Sequence, residues 1–342
     1  MQPFMKPVSD LFPLLNESRN IVITFHQKPD GDAMGSGLGL YNFLIQFGHK
    51  VTVISPTNWA SFLSWMPGAK KVLDFEMQNA KALDALNSAD WLFCLDFNTL
   101  SRIKKMEPVV EKLSCVKILI DHHQQPQTEA FNYGISSTGK SSTAEMIYDF
   151  IIASGQDAKI NKEVAECLYA GVMTDTGSFR FNSTTADVHR MVARLKETKL
   201  DHSQVHENLF DNFQEGRFRF FGHVLLNCMQ VFYEYNTALI VIPQKDLIKF
   251  NVKTGDTEGL VNFPLSIKGI RLAAVIIDRG DERKSSFRSK GGFDVNTFAR
   301  TYFNGGGHFN AAGGKNSEPL EVVVANFKKA IEENKIALNE VN

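Results

Sequence analysis

The 342-residue chain has the composition of an ordinary folded globular protein, with 43% hydrophobic and 22% charged residues. This length favours two domains over one. The 37 basic and 38 acidic side chains give a net charge of −1, so the chain has no general basic field with which to hold long nucleic acid. This composition excludes an intrinsically disordered chain and a nonspecific binder of long duplexes.

The four cysteines stand singly in apolar surroundings, without the close pairing that is typical of a zinc site or a disulfide framework. We interpret Cys94, Cys115, Cys167 and Cys228 as reduced, packed thiols. The first 20 residues lack the charged and then apolar pattern of a secretory leader, and no later stretch is long enough to be a membrane span. We therefore expect a cytoplasmic protein with no membrane association.

The first third of the chain alternates short β-branched or aromatic runs with helical patterns, which is typical of a parallel α/β sheet. The runs at residues 21–25, 51–55, 91–95 and 116–120 predict strands, and their near-continuous apolar character predicts burial on both faces. Two helices are predicted further on, around residues 144–153 and 162–173.

The pattern changes after residue 183, where helices without a strand period predict a connector over residues 184–216. From residue 230, alternating segments at 231–242, 271–277 and 285–289 predict a second sheet, accompanied by helices around 294–302 and 320–333. We expect an α/β protein with a parallel-sheet domain over residues 1–183 and a smaller α+β domain over residues 217–342.

Polar residues follow three of the predicted strands and one of the predicted helices. These residues are His26, Asp30 and Asp32 after the first strand, Asp96 after the third, Asp121, His122 and His123 after the fourth, and Asp175 at the end of the helix. Because the carboxyl ends of parallel strands meet at one edge of a sheet, we expect these groups to converge.

Carboxylates that converge repel one another unless cations compensate their charge. Mixed carboxylate and imidazole ligation of two divalent ions is the arrangement that activates water and stabilises a phosphoryl group in displacement. Oxygen-rich ligation with a minority of imidazole favours manganese, with magnesium or cobalt also compatible. Taken singly, each residue has a simpler explanation: Asp30 and Asp32 as turn or N-cap residues, and His122 as a core histidine.

At this point the chain resembles the DHH phosphoesterases, whose signature stands here as Asp121-His122-His123. Three other stretches of the first domain resemble family motifs: His26-x-x-Pro29-Asp30-x-Asp32-Ala33-x-Gly35-Ser36, Leu95-Asp96 and Thr174-Asp175-Thr176-Gly177. In the second domain, Ser286-Phe287-Arg288-Ser289 and Gly305-Gly306-Gly307-His308-x-x-Ala311-Ala312-Gly313 are similar to the DHH-associated C-terminal domain.

The resemblance implies a role for each matching residue. It implies that His26 and Asp30 bind one metal ion, that Asp32, His122 and Asp175 bind the other, and that Asp96 bridges them. It assigns catalytic roles to Asp96, to His123 near the scissile phosphate and to Asp121 as a residue that orients the imidazoles. It also makes residues 1–183 the catalytic domain and residues 217–342 the substrate-binding domain, with the active site in the cleft between them. The substrate-binding residues that it implies are Arg102, Arg288, Ser289, Gly305, Gly306, Gly307 and His308.

Within the family, the compact two-domain form resembles enzymes that hydrolyse short oligoribonucleotides to mononucleotides and remove the 3′-phosphate of phosphoadenosine phosphate. The expected partner is thus a short RNA or a nucleotide, and a homodimer is compatible with the sequence. A soluble phosphodiesterase acting on cyclic di-AMP or its linear product is the alternative. A non-catalytic nucleotide-binding module is disfavoured because all six expected metal ligands are present.

Overall fold

The computed structural model describes residues 5–340 of the chain. The outermost residues of the two expected domains, 1–4 and 341–342, lie outside this range. The chain forms two compact units, one ending at Asn212 and the other beginning at Phe213. Within the described residues, every helix is too short or too polar to cross a membrane.

The first unit contains a parallel six-stranded sheet in the order β3-β2-β1-β4-β5-β6. Its strands are β1 (Asn20–Phe25), β2 (Lys50–Ser55), β3 (Leu73–Asp74), β4 (Trp91–Leu95), β5 (Val116–Asp121) and β6 (Tyr133–Ser136). The four predicted strands are confirmed, whereas β3 and β6 are short edge strands that give no sequence pattern. The chain switches direction across the sheet between β1 and β4, the place where open α/β sheets bind ligands.

Helices cover both faces of this sheet. They are α1 (Gly31–Leu44), α2 (Asn79–Asn87), α3 (Glu107–Lys112), α4 (Thr143–Ala153), α5 (Lys162–Asp175), α6 (Ala186–Lys196) and α7 (His202–Phe210). Alternate strand residues enter two different cores, as with Ile23 on one face and Val22 on the other. Helix α1 is buried along its whole length, which leaves its amino end fixed against the sheet edge.

Residues 184–216, expected to form a connector, contain α6 and α7. Both helices are amphipathic and bury one apolar stripe in the core of the first unit, through Val188, Met191, Leu195, Val205 and Leu209. These helices are therefore part of the first compact unit. The division of the chain into a catalytic and a substrate-binding domain stays a prediction.

The second unit contains a mixed six-stranded sheet in the order β11-β12-β10-β9-β8-β7. Its elements are α8 (Glu215–Asn227), β7 (Met229–Phe232), β8 (Thr237–Ile242), α9 (Gln244–Lys249), β9 (Leu272–Asp278), β10 (Arg283–Ser289), α10 (Val295–Tyr302), β11 (Gly306–His308), β12 (Ala311–Asn316), α11 (Leu320–Glu333) and α12 (Lys335–Asn339). Phe287 and Phe327 lie in the core on one face, and Phe220 lies in the core on the other. The predicted α+β character of this region is confirmed.

Candidate metal centre and family

Asp96 is the central residue of a polar cluster at the carboxyl edge of the first sheet. It follows β4 with a φ of +60°, a left-handed conformation that is uncommon for a residue other than glycine. Its Oδ2 lies 3.4 Å from Nε2 of His26, and its Oδ1 lies 3.4 Å from Nε2 of His122. Each oxygen of this carboxylate thus lies beside a different imidazole.

The other three expected carboxylate ligands complete two groups around Asp96. Asp30 lies beside His26, with Oδ2 and Nε2 3.7 Å apart. Beside His122, the Nε2 atom lies 3.8 Å from Oδ2 of Asp32 and 3.4 Å from Oδ2 of Asp175. The structure therefore brings all six residues together, and Asp96 is common to both groups, as in the grouping that the family resemblance implies.

Backbone carbonyls orient both imidazoles. Nδ1 of His26 lies 2.9 Å from the carbonyl oxygen of Gln27, and Nδ1 of His122 lies 3.4 Å from that of Lys140. An Nδ1–H that donates to a carbonyl leaves Nε2 unprotonated in the neutral ring, as a metal ligand requires. In both rings Nε2 is the atom that faces the carboxylates.

Asp30 and Asp32 have structural contacts in addition to their place in the cluster. Oδ1 of Asp30 accepts hydrogen bonds from the backbone N–H groups of Asp32 and Ala33, both at 3.0 Å, and so caps α1. Asp32 accepts from the N–H groups of Thr143 and Ala144 at 2.6 and 2.9 Å, at the amino end of α4. Asp30 is therefore both the N-cap residue of α1 and a member of the cluster.

Sequence reasoning missed Thr143. Its hydroxyl donates to Oδ1 of Asp96 at 3.0 Å, in a fully buried position. The signal that could have indicated it is the capping box Ser142-x-x-Glu145, because Ser142 Oγ accepts from the N–H of Glu145 at 3.0 Å and fixes where α4 begins.

His123 and Asp121 form a buried pair next to the cluster. Oδ1 of Asp121 lies 2.7 Å from Nδ1 of His123, and Oδ2 accepts from the backbone N–H of His123 at 3.1 Å. Asp121 thus orients the imidazole of His123. Arg102 is half-buried in the 3-10 helix Leu100–Met106, which follows β4. Its carbonyl oxygen accepts from the N–H of Gln27 at 2.9 Å, and its positive charge acts on both His26 and His123.

The pKa values of the cluster reflect crowded negative charge. Burial lowers the pKa of His26 and His122, but hydrogen bonds and charge from the carboxylates outweigh burial and raise them, that of His26 to about 10. Burial, reinforced by the negative charge of Asp96, raises the pKa of Asp32 well above its ordinary value. Burial opposes ionisation of Asp96, yet its two imidazole partners hold its pKa well below the ordinary range.

These pKa shifts are typical of a site in which the protein supplies too little positive charge to balance its carboxylates. Without bound ions, protonated imidazoles supply the cations, and Asp32 is driven toward its neutral form. The donor set consists of carboxylate oxygens and imidazole nitrogens, which suit divalent cations such as Mn²⁺, Mg²⁺ or Co²⁺. The residues present therefore fit two metal ions.

Glycines allow α1 and α5 to approach closely and so bring Asp32 and Asp175 to the same place. A Cβ on Gly35 would lie 2.5 Å from the carbonyl oxygen of Cys167. One on Gly171 would lie 2.6 Å from Cβ of Ala144 and 3.0 Å from Oδ1 of Asp32. Only a residue without a side chain fits at either contact.

The expected substrate-binding residues of the second unit lie near one end of its sheet. Arg288 on β10 and His308 on β11 both pair with Ala311 of β12, so the two side chains stand on the same face. Ser289 is buried, and its hydroxyl donates to the carbonyl oxygen of Phe293 at 2.7 Å.

The glycine run in this unit has a packing explanation. A Cβ on Gly305 would lie 1.9 Å from the carbonyl oxygen of Gly313, and one on Gly307 would lie 2.5 Å from that of Ala311. The N–H of Gly307 donates to the side chain of Asn296 at 2.9 Å. Gly306 is the residue of the run that has no such backbone clash, since its closest neighbour is a side-chain oxygen 3.3 Å away.

A parallel sheet with a carboxylate-imidazole cluster at its switch point, followed by a second α+β unit, defines a hydrolase scaffold. Residues 20–172 match the N-terminal domain of the DHH family, and residues 231–335 match the DHHA1 domain. The chain belongs to the DHH family.

Three similar proteins cover most of the chain. The bifunctional oligoribonuclease and PAP phosphatase NrnA of Thermus thermophilus is 29% identical over 86% of this chain and 83% of its own. The protein of the same name from Bacillus subtilis is 28% identical over 86% and 88%. A solved structure, an exopolyphosphatase-related protein from Bacteroides fragilis, is 39% identical, covers 97% of each chain and superposes with a TM-score of 0.92.

Proposed function

We propose that this protein is a two-metal phosphoesterase that hydrolyses short oligoribonucleotides to mononucleotides and removes the 3′-phosphate of phosphoadenosine phosphate. The single observation that carries the proposal is the position of Asp96, whose two carboxylate oxygens each lie 3.4 Å from a different imidazole. The names of the Thermus and Bacillus relatives support the choice of substrates.

Two groups of side chains would hold the ions. His26 and Asp30 would bind one, Asp32, His122 and Asp175 would bind the other, and Asp96 would be shared. When bound, the two ions would supply an activated water and positive charge at the scissile phosphate. The excess of oxygen ligands over imidazole nitrogens favours manganese as the resident ion.

The neighbouring residues have roles that do not depend on which ions bind. Asp121 holds His123 with Nδ1 toward its carboxylate, and burial lowers the pKa of His123 despite that contact. The ring is therefore neutral near pH 7, and Nε2 is the atom that can accept a proton from a group of the substrate or from water. Arg102 adds a positive charge that attracts a phosphate to this edge of the sheet.

The second unit would bind the part of the substrate that is not cleaved. Arg288 and His308 lie in one row across β10, β12 and β11, on the face opposite the buried Phe287. Two cationic or hydrogen-bonding side chains on one sheet face suit a second phosphate or a terminal hydroxyl. Gly306 would provide close backbone approach, with Gly305, Gly307 and Ser289 maintaining the local fold.

A net charge of −1 sets a limit on substrate length. The protein can neutralise only a few phosphates, so nucleotides beyond the first few add little binding energy. We therefore expect the rate to fall as the RNA becomes longer.

A product-resolved assay tests the proposal. Labelled RNAs of two to five nucleotides are compared at one salt concentration with phosphoadenosine phosphate, linear and cyclic di-AMP, and pyrophosphate. The expected result is fast release of mononucleotides from the shortest RNAs and of phosphate from phosphoadenosine phosphate. Preferential turnover of cyclic di-AMP or pyrophosphate would contradict the proposed substrates.

A further inference from the structure

Three side chains of types that can bind a metal ion meet in the second unit, in a cluster that shares no residue with the Asp96 centre. His223 lies on α8, Cys228 directly follows the end of α8, and Asp246 lies in the first turn of α9. One ligand atom from each residue lies within 4.8 Å of the other two. The three side chains are thus close enough to share one ion.

The contacts converge on a single carboxylate oxygen. Oδ2 of Asp246 lies 3.1 Å from Nε2 of His223 and accepts a hydrogen bond from Sγ of Cys228 at 3.7 Å. The other ring nitrogen of His223, Nδ1, lies 3.2 Å from the side-chain amide of Asn227, so Nε2 is the nitrogen that faces Asp246.

These separations are close to those of ligands around a tetrahedral zinc ion. Zinc distances of about 2.0 Å to nitrogen or oxygen and about 2.3 Å to sulfur imply ligand pairs about 3.3 Å apart for N and O and about 3.5 Å apart for S and O. Shifts of a few tenths of an ångström would therefore bring Oδ2 of Asp246 to these distances from both Nε2 of His223 and Sγ of Cys228. Such shifts are small for side chains at the end of a helix.

The cluster opens onto a cleft of about 440 Å³, which is also lined by Gln230, Lys245 and Leu320. Asp246 is buried, whereas the side chain of His223 is 21% exposed, so an ion could enter from the cleft. Three protein ligands beside an open space are typical of zinc sites that keep a fourth, exchangeable ligand.

We propose that His223, Cys228 and Asp246 form a mononuclear site for Zn²⁺ or a chemically similar divalent ion, with a water or a small anion as the fourth ligand. The thiol loses its proton to solvent as the sulfur–metal bond forms, and the metal keeps its oxidation state. A thiolate ligand selects zinc over manganese and magnesium, which separates this site chemically from the carboxylate-rich centre at Asp96. Lys245, on the cleft wall, favours an anion in the fourth position.

The alternative explanation is a hydrogen-bonded pair that ties α8 to α9 and binds no metal. Titration of the metal-free, full-length protein with Co²⁺ separates the two. Cobalt bound to a thiolate gives a ligand-to-metal charge-transfer band in the near ultraviolet, which a site made of carboxylates and imidazoles does not give. The band therefore reports this cluster even while Co²⁺ also binds at the Asp96 centre.

At saturation, the intensity of the band from the wild-type protein should correspond to one thiolate-bound Co²⁺ ion per chain. Cys228→Ser should abolish the band, whereas Cys115→Ser, which removes the other partly exposed thiol, should leave it unchanged. Absence of the band in the wild-type protein, or its persistence in Cys228→Ser, would overturn the proposal.

A second variant keeps the proposal testable if Cys228→Ser does not fold. His223→Gln retains the thiol and removes one ligand, so the Co²⁺ concentration needed for half-saturation of the band should rise at least about tenfold. An unchanged titration curve for His223→Gln would exclude His223 as a ligand. The Asp96→Asn variant should give the same band as the wild-type protein, because its substitution lies in the Asp96 centre and not in the cluster of His223, Cys228 and Asp246.

Discussion

The backbone N–H of Thr143 donates a 2.6 Å hydrogen bond to Oδ2 of Asp32, a residue 111 positions earlier in the sequence. The hydroxyl of the same threonine donates to Oδ1 of Asp96 at 3.0 Å. Thr143 therefore connects the carboxylate proposed to bridge two ions to one proposed to bind a single ion. The amino end of α4 also stabilises the negative charge on Asp32, since the helix dipole is positive there.

Thr143→Val should weaken the metal centre without unfolding the protein. Valine has a similar shape, keeps the backbone hydrogen bond to Asp32 and loses only the hydroxyl that orients Asp96. We expect Mn²⁺ affinity and dinucleotide hydrolysis to fall by about 10- to 100-fold, with a stability loss of about 1 kcal/mol. Thr143→Ser restores the hydroxyl and should recover most of the activity; equal activity in the Val and Ser variants would exclude an orienting role.

Gly35→Ala should destabilise the first unit. The new methyl group would lie 2.5 Å from the carbonyl oxygen of Cys167, so α1 and α5 must separate. We expect a loss of about 1–3 kcal/mol in urea unfolding, together with weaker Mn²⁺ binding as Asp32 moves away from Asp175. All three tryptophans lie in this unit, so their fluorescence follows its unfolding.

Gly139→Ala is the matched control for this experiment. It lies in the same unit, and its closest neighbour beyond the adjacent residues, Ser137 Oγ, would be 3.7 Å from the new methyl group. Its effect should stay within about 0.5 kcal/mol. If both alanine variants had the same urea midpoint of unfolding as the wild-type protein, the close packing of α1 on α5 would not be needed for stability.

Metal binding should release protons near neutral pH. The contacts of His26 with Asp30 and Asp96 outweigh burial and raise its pKa to about 10, so at pH 7 the metal-free imidazole is protonated. An ion that binds Nε2 must displace that proton, so Mn²⁺ affinity rises with pH, by about tenfold per unit for each proton released. The same affinity falls as the pH is lowered from 8 to 6.

Calorimetry in two buffers of different ionisation enthalpy counts the protons released when Mn²⁺ binds. His26→Gln should release fewer protons than the wild-type protein at the same pH. A binding enthalpy that does not depend on the buffer, together with an affinity that does not depend on pH, would show that the imidazole is already neutral in the metal-free protein.

Arg288→Ala should separate substrate positioning from chemistry. If Arg288 binds a second phosphate or terminal group, its loss removes about 1.5–3 kcal/mol, or about 10- to 150-fold in kcat/KM, for a dinucleotide. Bis-p-nitrophenyl phosphate lacks such a group and should be hydrolysed at nearly the wild-type rate. Arg283→Ala is the control, because Arg283 lies on the same strand but on the opposite face. Equal losses on both substrates would exclude a positioning role.

The ends of the strands could be predicted because residues that are adjacent in the sequence mark each of them. A buried apolar run followed by Asp96, or by Asp121 and the two histidines, predicts both the strand and the polar residue at its end, and parallel order then predicts convergence. The bridging role of Asp96 does not follow from this reasoning: the family resemblance implies it, and it stays a prediction.

Contacts between distant segments were not predictable from a single sequence. Thr143 is one hydroxyl in a stretch rich in serine and threonine, and only the placement of α4 against Asp32 distinguishes it. The glycines at 35 and 171 look like ordinary helix residues until α1 and α5 are packed together. Similarly, the cluster of His223, Cys228 and Asp246 could not be expected from the sequence, because Asp246 comes beside the other two only through the folding of α8 and α9.

Hydrolysis of a labelled dinucleotide by wild-type and Asp96→Asn proteins, each freed of metal and then saturated with Mn²⁺, tests the two-metal account most directly. Replacing the shared carboxylate with an amide removes one charge from both proposed ion sites, so kcat/KM should fall by at least about a hundredfold while the far-ultraviolet circular dichroism stays unchanged. Asp84→Asn, at an exposed carboxylate on α2, should keep full activity. An Asp96→Asn protein that turns over the dinucleotide at nearly the wild-type rate would contradict the account.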